Sequence, residues 1–339
     1  MKRYFKSLLI ICLIIFASVL VSCKEETPLD TLEVHYLDVG QADAALVLCG
    51  DKTMLIDGGN VDDSNLIYSY LKSHSVDFID YMIATHPHED HIGGLSGALR
   101  YADVGTVYSP VAEHYAEVFR IFAEQVDEKG VELTVAEVGD SFSLGDASVE
   151  IIGVNSAEGE NNSSIVLRIT HGDVSFMFTA DAERDAETVL LDSGARLKST
   201  VLKVGHHGSS DSTTYRFLKE VNPDYAVISV GDDNPYGHPH SETLSRLRDA
   251  NVTVYRTDEQ GDIICRSNGE SVEFELGKNK PVADNIIKCD YVLNRRSKVF
   301  HYPDCDGVEA MSEYNREYYV GKREDLISDG YTSCGGCKP

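Results

Sequence analysis

From Leu32 onward, short apolar runs alternate with longer stretches whose apolar positions recur every three to four residues. The runs at 33–39, 44–49 and 53–56 predict three strands of a meander, with Gly50-Asp51-Lys52 as a hairpin turn. Asp57-Gly58-Gly59-Asn60 ends the third strand. A helix over 64–73 leads to a strand at 81–84, and another helix follows over 94–101. Strand, helix and strand are predicted at 104–108, 112–128 and 132–135. The second half starts again with strands at 149–152, 164–169 and 174–178, a helix at 182–191 and a strand at 201–204. A helix at 213–220, a strand at 225–229, a helix at 241–249 and strands at 252–255 and 263–266 complete it. Two successive halves of this kind predict an α/β fold, an αββα sandwich with two sheets face to face and helices outside. Residues 278–288 lack a sustained period and contain Pro281. The large domain at 32–277 therefore gives way to a linker at 278–289 and a small module at 290–339.

The chain's 339 residues allow one large domain of about 250 residues plus something small. Lys2, Arg3 and Lys6 precede an apolar run over 8–21 that is short for a spanning helix, the pattern of an export signal. Leu20-Val21-Ser22-Cys23 resembles a bacterial lipobox, which implies a lipoprotein signal peptide over 1–22, lipidation of Cys23 and a tether over 23–31. An uncleaved anchor helix is the alternative. Both place the protein outside the cytoplasmic membrane, held to its outer face or periplasmic side. The formal net charge is −26, and −29 once the three bases of the acid-free leader are removed. That excludes a uniformly basic DNA-binding surface but leaves metals or local patches able to hold an anion. Of eight cysteines, Cys12 and Cys23 fall in the leader, Cys49 and Cys265 sit alone in apolar runs, and the others lie in the last 51 residues. Such clustering favours a metal site over a disulfide framework, although an exported compartment permits both.

Thr85-His86-Pro87-His88-Glu89-Asp90-His91-Ile92-Gly93-Gly94 puts three histidines and an aspartate into six positions directly after an apolar run. Imidazole and carboxylate suit zinc, manganese or iron, and four such groups can begin two adjacent sites. Seven of the twelve histidines fall in three clusters, His86/His88/His91, His206/His207 and His238/His240, each after a predicted strand. Asp181 occupies a similar strand-to-helix corner. Alone it would read as a helix cap, but three ligand-bearing loops end on the same rim.

The order of Asp57-Gly-Gly, His-x-His-x-Asp-His, Asp181, His206-His207-Gly-Ser and Gly237-His238-Pro resembles the metallo-β-lactamase-fold hydrolases. Within them it is similar to the extracellular hydrolase domain of the ComEC competence DNA-uptake proteins. That likeness rests on Leu37-Asp38-Val39-Gly40-Gln41-Ala42-Asp43-Ala44, Asn161-Asn162-Ser163-Ser164, Leu202-Lys203-Val204-Gly205-His206-His207-Gly208-Ser209 and Asn234-Pro235-Tyr236-Gly237-His238-Pro239. It implies two divalent ions, zinc or manganese. His86 and His88 would hold the first, Asp90 and His91 the second, Asp181 would bridge them, and His238 would complete the second. His206 and His207 would contact the scissile phosphate or protonate the leaving oxygen. Where many relatives have a further histidine for the first ion, this chain has Asn161 and Asn162, so an amide oxygen or water is expected there. The implied reaction is phosphodiester hydrolysis by a metal-activated hydroxide, with Asp90 orienting it or taking its proton. DNA is the implied substrate, and the membrane and the DNA-uptake machinery are the implied partners. Hydrolysis of a phosphorylcholine ester, a lactone or a β-lactam is the alternative within the fold; a non-catalytic DNA-binding lipoprotein is the alternative outside enzymes. Lys203 reads either as a cationic substrate contact or as a snorkelling edge residue, and Asp57 as a turn or outer-shell residue rather than a ligand.

In the last segment, His301-x3-Cys305 and Cys334-x2-Cys337 supply four ligands for a closed tetrahedral zinc site. A module of about fifty residues needs such a staple. The stretches around His301-Tyr302-Pro303-Asp304-Cys305 and Ser333-Cys334-Gly335-Gly336-Cys337 resemble the metal-binding domain of Ada-type DNA repair proteins. That family's methyl-accepting cysteine is replaced by His301, so a structural zinc is implied and methyl transfer is not. A disulfide among Cys305, Cys334 and Cys337 is the alternative. Arg295, Arg296, Lys298, Arg316, Lys322 and Arg323 offer only scattered basic charge for DNA.

Overall fold

The computed structural model describes residues 29–278, 291–302, 305–309 and 311–339. The signal peptide, Cys23 and nearly all of the expected linker lie outside the described residues. Among the described residues no helix is long and apolar enough to cross a membrane.

The first part of the chain forms β1 (Leu32–Tyr36), β2 (Ala45–Cys49), β3 (Lys52–Ile56), α1 (Ser64–Ser73), β4 (Phe78–Ile83), α2 (Glu89–Ile92), α3 (Leu95–Tyr101), β5 (Asp103–Ser109), α4 (Glu117–Glu128) and β6 (Leu133–Val135). The second part adds β7 (Ser141–Leu144), β8 (Ala147–Gly153), β9 (Val166–His171), β10 (Val174–Phe178), α5 (Arg184–Ser193), β11 (Val201–Lys203), α6 (Tyr215–Val221), β12 (Tyr225–Ile228), α7 (Ser241–Asp249), β13 (Thr253–Arg256), α8 (Thr257–Gln260), β14 (Ile263–Ser267) and β15 (Val272–Leu276). One sheet runs β15-β14-β1-β2-β3-β4-β5-β6 and the other β13-β12-β11-β10-β9-β8-β7.

Between the sheets lies an apolar layer in which Val34, Val47, Met54 and Ile56 face Val149, Ile151, Leu167, Phe176 and Val201. On one outer face α1, α3 and α4 bury Ile67, Leu71, Leu95, Leu99, Phe119 and Phe122. On the other, α5, α6 and α7 bury Ala186, Leu190, Phe217, Leu218 and Leu247. Helix, sheet, sheet and helix therefore stack in four layers, the αββα arrangement that the alternation of patterns predicts.

The division into two successive halves is not kept. β14 and β15 come last in the domain but complete the first sheet, with β14 antiparallel to β1 in the register Val34 to Cys265. The 112–128 helix starts only at Glu117. Local bonds hold the chain before it out of the helix: the Ser109 hydroxyl donates to the Val111 carbonyl and the Ala116 N–H donates to His114 Nδ1. α5 likewise starts at Arg184 and not at 182, because Glu183 is extended at φ −97° and ψ −179°, with its N–H donated to Asn162 Oδ1.

The C-terminal module contains β16 (Tyr291–Asn294), β17 (Val299–His301), α9 (Asp306–Glu309), β18 (Arg316–Tyr319), α10 (Arg323–Ser328) and β19 (Thr332–Ser333), with sheet order β18-β16-β17-β19. Tyr291, Leu293, Phe300, Tyr302 and Leu326 form its core. It rests on α7. Arg246 Nε donates to the Tyr302 hydroxyl at 3.2 Å, and the Tyr291 hydroxyl donates to Asp249.

Candidate metal centre

β3 and β4 run parallel, as do β10, β11 and β12, so the carboxyl ends of both groups open on one edge of the sandwich. Asp57 follows β3, His86 and His88 follow β4, Asp181 follows β10, and His206 and His207 follow β11. Four residues at these corners have left-handed backbone: Asp57 at φ 57°, Ala180 at 43°, His206 at 49° and His207 at 52°. For residues other than glycine this costs roughly 1–2 kcal/mol each, strain that persists where the surroundings fix a functional geometry. Two successive left-handed histidines send both imidazoles into the same opening.

The histidine motif is not all loop. After His86-Pro87-His88 the chain folds at once into α2, which carries Asp90 and buries His91. It is locked to the Asp57-Gly58-Gly59 turn by backbone bonds, Gly58 N–H to His91 O at 2.7 Å and Gly94 N–H to Gly59 O at 3.0 Å. The backbones approach so closely that a Cβ on Gly94 would lie 1.9 Å from the Gly58 oxygen.

Two groups of candidate ligands share Asp181. In one, Asp90, His91, Asp181 and His207 offer atoms all within 4.8 Å of one another, and His86, His88 and Asp181 make the other. His91 Nε2 stands 3.3 Å from Asp181 Oδ1, His207 Nε2 3.3 Å from Asp90 Oδ2, and His86 Nε2 3.8 Å from Asp181 Oδ2. His91 Nε2, Asp181 Oδ1 and His207 Nε2 are buried with no hydrogen-bond partner. Three converging orphan atoms of this kind fit a divalent ion, because a buried polar group is otherwise satisfied.

Each imidazole is oriented from behind. Asp57 Oδ2 accepts from His91 Nδ1 at 2.8 Å, while Asp57 also accepts from the Thr85 amide and hydroxyl. His207 Nδ1 meets Ser229 O at 3.1 Å and Asp43 Oδ1 at 3.2 Å. The bonds to Asp57 and Ser229 place a hydrogen on Nδ1 and aim Nε2 inward, where a bound ion would take the place of any proton on it.

Charge follows the same layout. Burial pushes the Asp181 carboxyl up, but His91 and His207 outweigh it and hold the group well below the usual carboxylate range. Asp90 is likewise brought to about 2 against burial, chiefly by His207 and His91. Burial lowers His207, yet Asp181 and Asp43 reverse this and raise it to about 10. The cluster's acids stay ionised and draw positive charge to its centre.

His238, expected to complete the second ion, stands outside both groups. Its ring lies 6.4 Å from that of His207, whose Nε2 is the imidazole atom that joins Asp90, His91 and Asp181. Gln41 lies against its Nδ1 at 3.4 Å, and burial followed by His240 and His206 lowers it to about 4. Gln41, His88, Asp90, Asn161, His206 and His238 line the opening. Asn162 does not reach it, since its Oδ1 accepts from the Glu183 amide and its Nδ2 donates to Glu158 O. Asn161 Oδ1 is buried without a partner beside the opening. Lys203 fits neither sequence reading: it is buried, with Nζ 2.8 Å from Asp43 Oδ2. Asp43, Gln41 and Glu160 were missed as supports of the histidines, although the first two lie in the motif that carries the resemblance.

In the C-terminal module His301, Cys305, Cys334 and Cys337 also come within 4.8 Å of one another, and the cysteines are unbridged. A Cβ on Gly307 would lie 2.8 Å from His301 Cε1, so α9 packs close against this ring. Three thiols and an imidazole fit a tetrahedral ion.

Residues 37–232 match the profile of the Metallo-beta-lactamase superfamily. The chain is similar to ComE operon protein 3 of Bacillus subtilis, 30% identical over 72% of this chain and 34% of that protein. Recombination protein 2 of Haemophilus influenzae is 27% identical over 74% of this chain and 31% of that protein. Competence protein ComA of Neisseria gonorrhoeae is 28% identical over 77% and 35%. The match thus spans about a third of the length of these relatives.

Proposed function

The chain belongs to the metallo-beta-lactamase superfamily, and on that premise we propose that it is a dinuclear-metal phosphodiesterase acting on DNA, exported and tethered through a lipid on Cys23. The observation that carries the reading is the convergence of His91 Nε2, Asp181 Oδ1 and His207 Nε2, buried and without partners, beneath an open pocket. His86, His88 and Asp181, with Asn161 beside them, would hold one ion; Asp90, His91, Asp181 and His207 would hold the other. Bound zinc or manganese supplies charge neutralisation at a phosphoryl oxygen and lowers the pKa of water.

The remaining work falls to the chain's own groups. Asp90 lines the pocket and can accept the proton of an attacking water. His207 is held among Asp43, Asp90 and Asp181, where it would serve as a ligand, which leaves His206 as the proton donor to the leaving oxygen. His206 Nε2 lies 3.6 Å from Asp181 Oδ2 and its ring is partly open to the pocket. His238, facing His206 at 5.5 Å between ring centres, is placed to hold a phosphate oxygen. Tyr236 stacks on His238 and is 65% exposed, a free face for a nucleobase. DNA is favoured among phosphodiesters because the relatives are named for competence and recombination, and the DNA-uptake machinery is the proposed partner. A structural zinc is proposed on His301, Cys305, Cys334 and Cys337.

Assaying metal-loaded protein side by side on single-stranded DNA, bis-p-nitrophenyl phosphate and nitrocefin tests this reading. Cleavage of both phosphodiesters is expected, with nitrocefin untouched. Turnover of nitrocefin with both phosphodiesters intact would overturn it.

A further inference from the structure

The two ligand groups differ in what stands behind their imidazoles. Behind His91 and His207 are the buried carboxylates of Asp57 and Asp43. Behind His88 is Glu160, whose Oε2 lies 2.9 Å from His88 Nε2, with the two side chains 38% and 35% exposed. Glu160 is held in turn, since the Tyr115 hydroxyl donates to its Oε1 and His114 Nε2 lies 3.3 Å from the same atom.

These contacts fix the hydrogens. An ionised carboxylate only accepts, so Glu160 keeps the proton of His88 on Nε2 and leaves a lone pair on Nδ1. The Thr85 hydroxyl donates to Asp57 Oδ2 at 2.7 Å, so its oxygen accepts from His86 Nδ1 at 3.2 Å and leaves a lone pair on His86 Nε2. His86 Nε2 and His88 Nδ1 then face each other at 3.0 Å. Two lone pairs at that separation repel unless they share a cation.

We propose that Glu160 is the positioning residue of the His86–His88 metal position, and that this position binds its ion more weakly than the one at Asp90, His91, Asp181 and His207. The proposal rests on the metal reading above. Two differences set the order. The stronger position has Asp90 besides the shared Asp181, whereas the weaker has only Asp181 and the neutral Asn161 amide beside it. The imidazoles of the stronger position are backed by carboxylates out of water, but Glu160 acts half in solvent, where its charge is screened and its hold on the ring is looser. Glu160 stands in the stretch that lacks the expected histidine, and it acts on the ion through His88.

The test is binding, with no turnover involved. Full-length protein freed of exchangeable metal is titrated with Mn2+, a hard ion that thiolates hold poorly, and free Mn2+ is followed by electron paramagnetic resonance. Two unequal steps are expected. Glu160→Ala should weaken the second step about 10–100-fold, and Glu160→Gln less, because an amide oxygen still accepts from His88 Nε2. The first step and the thermal midpoint should not move, since the side chain lies partly in solvent. Two steps of equal affinity, a second step unchanged in Glu160→Ala, or weakening of the first step instead would overturn the proposal. A parent protein that takes up neither Mn2+ nor Zn2+ at these histidines would overturn the metal reading beneath it.

Discussion

A lysine at the end of the buried strand β11 is tolerated at 203 because Asp43 Oδ2 stands 2.8 Å from its Nζ, and the same carboxylate reaches His207 Nδ1 with its other oxygen. The residue is 3% exposed, so Lys203→Met would leave Asp43 buried with only His207 for a partner. Loss of about 3–5 kcal/mol of unfolding free energy is expected from breaking one side of such a pair. Urea denaturation checks it, and a loss below about 1 kcal/mol would return Lys203 to the role of a surface residue. The histidines and Asp181 were legible in the sequence because residue type and spacing carry the signal themselves. That the His207 ring, and not that of His238, comes within reach of Asp90 and His91 was not. It depends on the left-handed backbone at 206 and 207, which swings His207 inward, and on Gln41, which lies against His238 outside the group. Asp43 was equally hidden, since its partners lie 160 and 164 positions away in the other half of the chain.

At the scale of elements, the candidate site is made where two backbone corners press together. The Asp57-Gly58-Gly59 turn fits against Gly93-Gly94 with no room for side chains: a Cβ on Gly93 would lie 2.4 Å from Val61 N, and one on Gly94 1.9 Å from Gly58 O. Gly94→Ala must therefore push α2 and α3 away from the turn that orients His91. The expected result is a loss of roughly 1–3 kcal/mol in stability together with weaker metal uptake, read by thermal unfolding and by metal analysis of the same sample. A variant with parent stability and full metal content would contradict the interlock. The pattern of apolar positions indicated most strands and helices, because alternation and helical period are local properties. Boundaries shifted where side chains captured backbone groups, as at Ser109 and His114 ahead of α4. β15 carries clean alternation in Val-Glu-Phe-Glu-Leu and was still passed over, as was the short β7.

For the whole molecule, the four-layer order follows from the succession of patterns, but the sheet to which the last strands belong does not. β14 and β15 return to β1 across more than two hundred residues, and no local signal announces that pairing. The seat of the C-terminal module on α7 is also tertiary. Arg246 lies between them, donating to the Tyr302 hydroxyl of the module and to the Ser210 and Ser212 carbonyls that follow the His206-His207 corner. Six carboxylates and imidazoles from distant parts of the chain thus meet on one edge of the sandwich, and the central claim is that they form a metal-dependent centre for cleaving DNA. Following a labelled single-stranded oligonucleotide as the full-length protein is titrated with Mn2+ or Zn2+, in parallel with Asp181→Ala, tests it most directly. The account predicts cleavage that rises with metal bound to the parent, stops on chelation and is absent from Asp181→Ala. An intact oligonucleotide in the presence of parent protein carrying both ions, or equal cleavage by Asp181→Ala, would contradict it.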